Sequence, residues 1–138
     1  MTCQVIDAMT SLDQSRATNQ RQELDMTTKP AYAIGYLRDV RVGAEIAEYL
    51  DRIDDTLAPF AGEFIIHGGT LTAMEGEWPG DVIIIRFPDQ RAAREWYDSP
   101  AYQAILPLRT EHSDGIVAIV EGEAPGYRAA GKLERQSA

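Results

Sequence analysis

The chain has 138 residues and a mass of 15.3 kDa, a length that fits one domain and leaves little room for a second. Its 13 basic and 22 acidic residues give a formal net charge of −9, and no cluster of Lys or Arg offsets the excess. Because nucleic acids and anionic membrane surfaces are bound through clustered cations, we expect neither as a partner.

The two ends of the chain differ in composition from its middle. Residues 1–29 are polar and contain no aromatic residue. We expect this extension to be flexible or weakly docked, because such segments rarely bury enough apolar surface to offset their ordering entropy. Met26 lies four residues before the first patterned segment and is an alternative start site. Residues 30–122 form the predicted domain, and residues 123–138 are expected to be a C-terminal tail.

The first half of the domain alternates between strand and helix patterns. Residues 31–38 read as a strand, and residues 43–58 carry an apolar stripe at helical spacing. A second strand is predicted over 63–67, interrupted by a bulge or bend at Gly68-Gly69 and resuming over 70–75. After a turn, residues 81–87 are predicted to form a third strand.

Two helices and a strand follow. Asp89 begins a helix with Trp96 on its apolar side, and Ser99-Pro100 supplies the N-cap and first residue of a shorter one. Residues 115–121 are the last predicted strand. The order β-α-β-β-α-β predicts an α+β, ferredoxin-like fold, with an antiparallel sheet that carries its helices on one face.

The other face of the sheet has a mixed composition. Alternate strand residues point to opposite faces. One set in the first strand is Ala31, Ala33, Gly35 and Leu37, which suits a layer of helices. The opposite set combines aliphatic residues with polar ones, and by this alternation it includes Tyr32, Tyr36, His67 and Arg86. Such a surface is too apolar to face water, so we predict that a second copy covers it in a homodimer.

The number of cysteines and the length of the apolar runs indicate the kind of compartment in which the protein is found. Cys3 is the only cysteine, so the chain cannot form an intramolecular disulfide or a cysteine-based metal site. The longest aliphatic run, residues 116–120, is far shorter than the ~20 residues of a membrane span. The first residues lack the apolar stretch and basic head of a secretory signal. We therefore expect a cytoplasmic protein.

Several short motifs in the domain resemble those of a known family. They are HGG at 67–69, EGEW at 75–78, the strand and turn at 81–88, WYDSPAYQ at 96–103, Arg109, and IVEG at 119–122. On these motifs, residues 30–121 resemble the DUF1330 family of the dimeric α+β barrel superfamily. The resemblance implies a ferredoxin-like protomer whose sheet pairs with that of a second protomer to form a barrel.

The resemblance implies no particular reaction. The superfamily includes cofactor-independent monooxygenases, haem-degrading enzymes, isomerases and ligand binders, and a shared fold does not transfer activity among them. Members of the family usually carry Arg before the two glycines, where this chain has His67. If that position contacts a ligand, a permanent cation has been replaced by a group that titrates near neutral pH.

His67 and two arginines are the candidate polar residues of a site. His67 is either a general acid or base or a strand-end histidine that binds backbone or water. Arg86 lies in an apolar strand and must pair either with a carboxylate such as Glu63 or with a ligand anion. Arg109 either binds a carboxylate through both nitrogens or pairs with Asp98 or Glu111.

The remaining candidates are aromatic residues and a second histidine. Tyr97 and Tyr102 suit a pocket wall or ordinary packing between helix and sheet. His112 lies in a predicted loop, where a solvated histidine is the commoner case. No spacing of His and carboxylates indicates a metal site, so we expect no metal and no cofactor. A haem-binding variant would need His67 or His112 as axial ligand, without a supporting motif.

Two interpretations of function remain open. In the first, a homodimer has a small-molecule pocket between sheet and helices and performs proton transfer on, or cofactor-independent oxidation of, a compact organic acid or enolisable compound. His67 would be the acid or base, and the ligand would be bound by Tyr32, Tyr36, Arg86, Tyr97, Tyr102 and Arg109. In the second, the dimer is a non-catalytic binding or scaffold protein with a filled barrel. An open pocket of a few hundred Å³ would favour the first interpretation.

Overall fold

The computed structural model describes residues 29–132. The predictions for residues 1–28, and for residues 133–138 of the tail, therefore lie outside the described residues. Residues 30–122 form one compact unit, and the described remainder, Lys29 and 123–132, belongs to another. The site discussed below lies within the first of these units.

The predicted order of elements is confirmed within that unit. In chain order they are β1 (Ala31–Arg38), α1 (Ala44–Leu57) with a 3-10 turn (Ala58–Phe60), β2 (Glu63–His67), β3 (Asp81–Phe87), α2 (Gln90–Asp98), α3 (Pro100–Thr110) and β4 (Asp114–Glu121). The strands form an antiparallel sheet in the order β2-β3-β1-β4. This is the ferredoxin-like arrangement, with the second crossover built from two helices instead of one.

The prediction of a second half-strand over residues 70–75 is wrong. Residues 68–80 form an irregular loop instead. Gly68 has a φ of 67°, and its N–H donates to the carbonyl oxygen of Val82 at 3.4 Å, which ends the ladder between β2 and β3. Since β3 begins only at Asp81, no strand residue lies opposite 70–75 to pair with them.

Side chains of one sheet face and of the helices form the core. Ala31, Ile85 and Phe87 of the sheet are buried against Trp96 and Ile105 of the helices. The Trp96 indole nitrogen donates to the Thr56 hydroxyl at 3.0 Å, so the polar atom of this large side chain is satisfied inside the core. The strand alternation therefore assigned the helix-facing set of β1 correctly.

Both helices of the second crossover begin at the predicted caps. The Asp89 carboxylate accepts from the Ala92 N–H at 2.7 Å. The Ser99 hydroxyl accepts from the Tyr102 N–H at 3.3 Å and donates to the Trp96 carbonyl oxygen at 2.7 Å. Ser99 thus ends α2 and begins α3, and Tyr102 in the first turn of α3 is buried in the core.

Among residues 29–132, no helix has the length and apolar character needed to cross a membrane.

Candidate functional site

A cavity of about 510 Å³ lies between α1 and the helix-facing side of the sheet. Its floor contains the smallest side chains of β1, Ala33 and Gly35. Its rim includes exposed residues from the ends of three strands. The other residues used below that line it are Leu50 and Ile53 of α1, Phe64 and His67 of β2, Ile83 and Ile85 of β3, Val117 of β4, and Tyr49, Tyr102 and Arg109.

Gly35 of β1 has no side chain and so leaves space at the floor of the cavity. Gly35 stands opposite Ile83 and Val117, and a Cβ atom placed on it would lie 3.8 Å from the nearest side-chain atom. A Cβ atom would therefore sit in ordinary van der Waals contact, and a side chain built on it would occupy part of the cavity. Glycine weakens a strand interior and often marks a place where another group approaches the backbone closely.

Two tyrosines and an arginine form a buried polar cluster in the lining, called here the polar head of the cavity. The hydroxyl of Ser113, also buried in the lining, donates to the Arg109 carbonyl oxygen at 2.8 Å. The hydroxyl oxygens of Tyr49 and Tyr102 are 2.8 Å apart, and both side chains are buried. Arg109 is 7% exposed, and its Cζ atom lies 6.0 Å from the centre of the Tyr49 ring. Since α1 packs against α3, residues 53 positions apart meet in one hydrogen bond.

The surroundings of the polar head keep the Tyr49 phenol protonated and the Arg109 guanidinium charged. Burial, reinforced by the neighbouring Tyr102, raises the pKa of Tyr49 well above its usual value of 10.0, against the opposing effect of Arg109. Burial alone would lower the pKa of Arg109, but the adjacent Tyr102 and Tyr49 outweigh it and raise that pKa. At neutral pH Tyr49 is therefore a neutral phenol and Arg109 a permanent cation.

Arg109 has no carboxylate partner among residues 29–132. The ion pairs found there include Glu48–Arg52, Arg91–Glu95 and the contact between Glu45 and His112, and none involves Arg109. Arg109 therefore pairs with neither Asp98 nor Glu111 in the described part of the chain. A buried cation normally has an anionic partner, because losing its hydration costs several kcal/mol.

His67 also lines the cavity, on the opposite side of the sheet from the predicted one. A bulge lies between Phe64 and Ile66, where Phe64 pairs with Ile85 and Ile66 pairs with Ile84. The extra residue, Ile65, reverses the alternation, so that the His67 ring stacks on Phe64 at 4.5 Å and 11°. The prediction that His67 shares a face with Tyr32, Tyr36 and Arg86 is therefore wrong.

Three predicted ligand-binding residues lie on the sheet face that the helices leave uncovered, called here the open face. Arg86 stands between Tyr32 on β1 and Glu63 on β2, and its side chain is exposed. No ion pair joins Arg86 to Glu63 within residues 29–132. The Tyr36 hydroxyl accepts from the Gly80 N–H at 2.9 Å and so anchors the end of the 68–80 loop. None of the three lines the cavity.

Tyr97 and His112 also lie apart from the cavity lining. Tyr97 packs against the core, with its ring 5.5 Å from that of Tyr102 and 6.3 Å from that of Trp96. His112 Nδ1 lies 3.0 Å from the Leu108 carbonyl oxygen and Nε2 lies 3.8 Å from a Glu45 carboxylate oxygen. In the described part of the chain, no three His, Cys, Asp or Glu side chains group closely enough to hold a metal ion.

Comparison with known protein families identifies the family of this chain. The model of one family, a domain of unknown function (DUF1330), matches residues 30–123. The chain belongs to the DUF1330 family. The match covers every strand and helix that surrounds the cavity. No functionally curated protein matches the chain in sequence.

Solved structures similar to this DUF1330 domain share its fold at low sequence identity. A protein of unknown function from Rhodopseudomonas palustris is 15% identical over 79% of this chain and 94% of its own, with a TM-score of 0.53. A dimeric ferredoxin-like protein of unknown function from Jannaschia sp. CCS1 is 18% identical over 67% of this chain and 98% of its own, with a TM-score of 0.51. Both likenesses show the fold alone.

Sequence reasoning missed one member of the polar head of this DUF1330 domain. Tyr49 falls in the apolar stripe of α1, where its spacing from Ile46 and Ile53 marks it as a core residue. The only available signal was chemical, since a tyrosine in a buried stripe needs a hydrogen-bond partner for its hydroxyl. Identifying that partner as Tyr102 requires the packing of α1 on α3, which the sequence pattern does not specify.

Proposed function

We propose that this protein is a cytoplasmic homodimer that binds a small organic molecule in the cavity between α1 and the sheet. The observation that carries the proposal is the buried Arg109, which lines a cavity of about 510 Å³ without a carboxylate partner among the described residues. Pockets for small ligands are typically about 300–1,000 Å³ and combine apolar walls with a few polar groups. The cavity volume favours binding over the alternative of a filled scaffold.

The open face supports the homodimer. Its aliphatic side chains come from all four strands, and several are strongly exposed in a single copy. They include Ile34, Ile66, Val82, Ile84, Ile116 and Val120. Pairing two such faces around a twofold axis would remove this apolar surface from water. The Jannaschia relative, a dimeric ferredoxin-like protein, offers a precedent for this assembly.

His67 is the proposed acid or base. Its ring is held against Phe64 at the rim, so one edge can reach both the cavity and solvent. A histidine in this position can take a proton from a carbon next to a carbonyl group and return it elsewhere on the same molecule. Proton transfer on a compact organic acid or enolisable compound needs no cofactor, and the cation of Arg109 would stabilise the developing negative charge.

Native mass spectrometry of the protein as purified tests the binding. We expect a dimer that carries an additional small mass, which is released on denaturation. Gly35→Val would fill part of the cavity floor and should remove this mass, whereas Gly69→Val, at a glycine with open space around it, should retain it. A dimer without bound ligand under all conditions would favour the non-catalytic scaffold. Equal retention of the mass in both variants would mean that the ligand binds outside this cavity and would overturn the proposed site.

A further inference from the structure

We infer that the polar head selects a singly charged carboxylate, and that the ligand of this cavity is a monocarboxylate with a compact apolar body. This inference rests on the proposed function, namely that the cavity binds a small molecule. It assigns the ligand's chemical class and orientation. The carboxylate binds at Arg109 and the tyrosine pair, and the body lies over the floor formed by Ala33 and Gly35.

The charge of the polar head requires an anion. Arg109 is only 7% exposed, and the carboxylates in the cavity lining, those of Asp39 and Asp81, belong to exposed residues of the rim. The face of Tyr49 compensates the charge only in part, because 6.0 Å is the outer limit of a cation–π contact. One uncompensated positive charge matches one carboxylate, whereas a doubly charged phosphate would leave an excess negative charge in the same buried space.

The hydrogen-bond donors of the polar head point to the same class. Only one of the two phenolic protons can lie between the Tyr49 and Tyr102 oxygens, and the second has no acceptor among the described residues. The guanidinium of Arg109 has only donors, and its five N–H groups outnumber the two phenolic oxygens of Tyr49 and Tyr102 with which it interacts. A ligand group that meets this head therefore finds a phenolic O–H and N–H donors, which suits the two acceptor oxygens of a carboxylate. An amine or ammonium group would find too few acceptors.

The apolar part of the lining indicates the shape and polarity of the rest of the ligand. The walls are aliphatic or aromatic, with Leu50 and Ile53 above and Ile83, Ile85 and Val117 below. Because Ala33 and Gly35 take up little of the floor, the space between the sheet and α1 suits a compact apolar group such as a single ring. Phenylacetate, a carboxylate on a single aromatic ring, combines these features, and phenylacetamide has nearly the same shape without the charge.

The test compares these two probes on the full-length protein after extensive dialysis, using ligand-observed NMR titration. We expect phenylacetate to bind at least about tenfold more tightly than phenylacetamide, as charge-assisted hydrogen bonds predict. Arg109→Gln should bring this ratio close to one without weakening the amide. Arg52→Gln, at an exposed arginine of α1, should leave the ratio unchanged. Arg109→Lys retains the charge but not the planar donor fork, so it should keep part of the preference even if Arg109→Gln fails to fold.

The outcomes separate this inference from the proposed function. Equal binding of the acid and the amide by the unmodified protein would overturn the carboxylate assignment and leave a small-molecule pocket. A preference that survives in Arg109→Gln would overturn the role of Arg109. Binding of neither probe, together with a retained mass in native spectra, would overturn the monocarboxylate class alone. Binding of neither probe and no retained mass would overturn both proposals.

Discussion

The hydroxyl oxygens of Tyr49 and Tyr102 lie 2.8 Å apart and join α1 to α3 by a buried hydrogen bond. Removing either hydroxyl leaves the other without this partner. We expect Tyr49→Phe and Tyr102→Phe each to lower the free energy of unfolding by about 1 kcal/mol. The double variant should lose less than the sum, with a coupling of about 0.5–1.5 kcal/mol measured by urea denaturation.

Tyr97→Phe is the matched control for this cycle. Tyr97 belongs to the same aromatic cluster, but within residues 29–132 its hydroxyl makes no hydrogen bond to another side chain or to backbone. Its replacement should change the free energy of unfolding by less than about 0.5 kcal/mol. If the Tyr49 and Tyr102 variants behaved additively, the two hydroxyls would not be coupled in solution.

Tyr49 should also make the stability of the protein sensitive to alkaline pH. The folded-state pKa of Tyr49 is raised above its unfolded value near 10.0, so the folded state holds this proton more tightly than the unfolded state. The resulting stability is fully present below about pH 10 and is lost as pH rises toward the folded-state pKa. Denaturant titrations from about pH 8 to about pH 11 should show a steeper loss in the unmodified protein than in Tyr49→Phe. Parallel curves would contradict this assignment.

Much of the fold could be predicted because its signals are local. The Asp89 and Ser99 caps, the helical stripe of α1 and the alternation in β1 each depend on neighbours along the chain, and each appears in the structure. The 70–75 half-strand failed for the complementary reason. A strand needs a partner strand. The pairing of β2 with β3 ends at His67 and Ile83, and β3 begins only at Asp81, so residues 70–75 have no strand beside them.

The candidate site was harder to predict because it depends on contacts between distant segments. The bulge at Ile65 has no glycine to mark it in the sequence EFIIH, yet it moves His67 from the open face to the cavity. Arg109 was a candidate from its motif alone, but its lack of a carboxylate partner emerges only when α3 is packed against α1.

Replacing His67 should remove the proposed proton transfer without removing binding. For a substrate identified from the retained mass, we expect His67→Ala to lower kcat by about 10²–10⁴-fold, as loss of a general acid or base does. His67→Phe keeps a ring on Phe64 and should be equally inactive, which separates proton transfer from the stacking contact. His112→Ala changes the other histidine of the chain, outside the cavity lining, and should keep its activity. Unchanged kinetics in His67→Ala would remove its proposed role.

A charge on the open face should dissociate the proposed dimer. Ile116 lies opposite Tyr36 on this face and is 72% exposed in a single copy. Because a twofold interface repeats every substitution, Ile116→Glu would place two carboxylates against an apolar sheet, at a cost of several kcal/mol. Light scattering at micromolar concentration should then report a monomer. Val42→Glu alters a residue that is 85% exposed in the segment between β1 and α1, so it should remain dimeric. A dimer that persists in Ile116→Glu with unchanged affinity would mean that the two copies meet through a different surface.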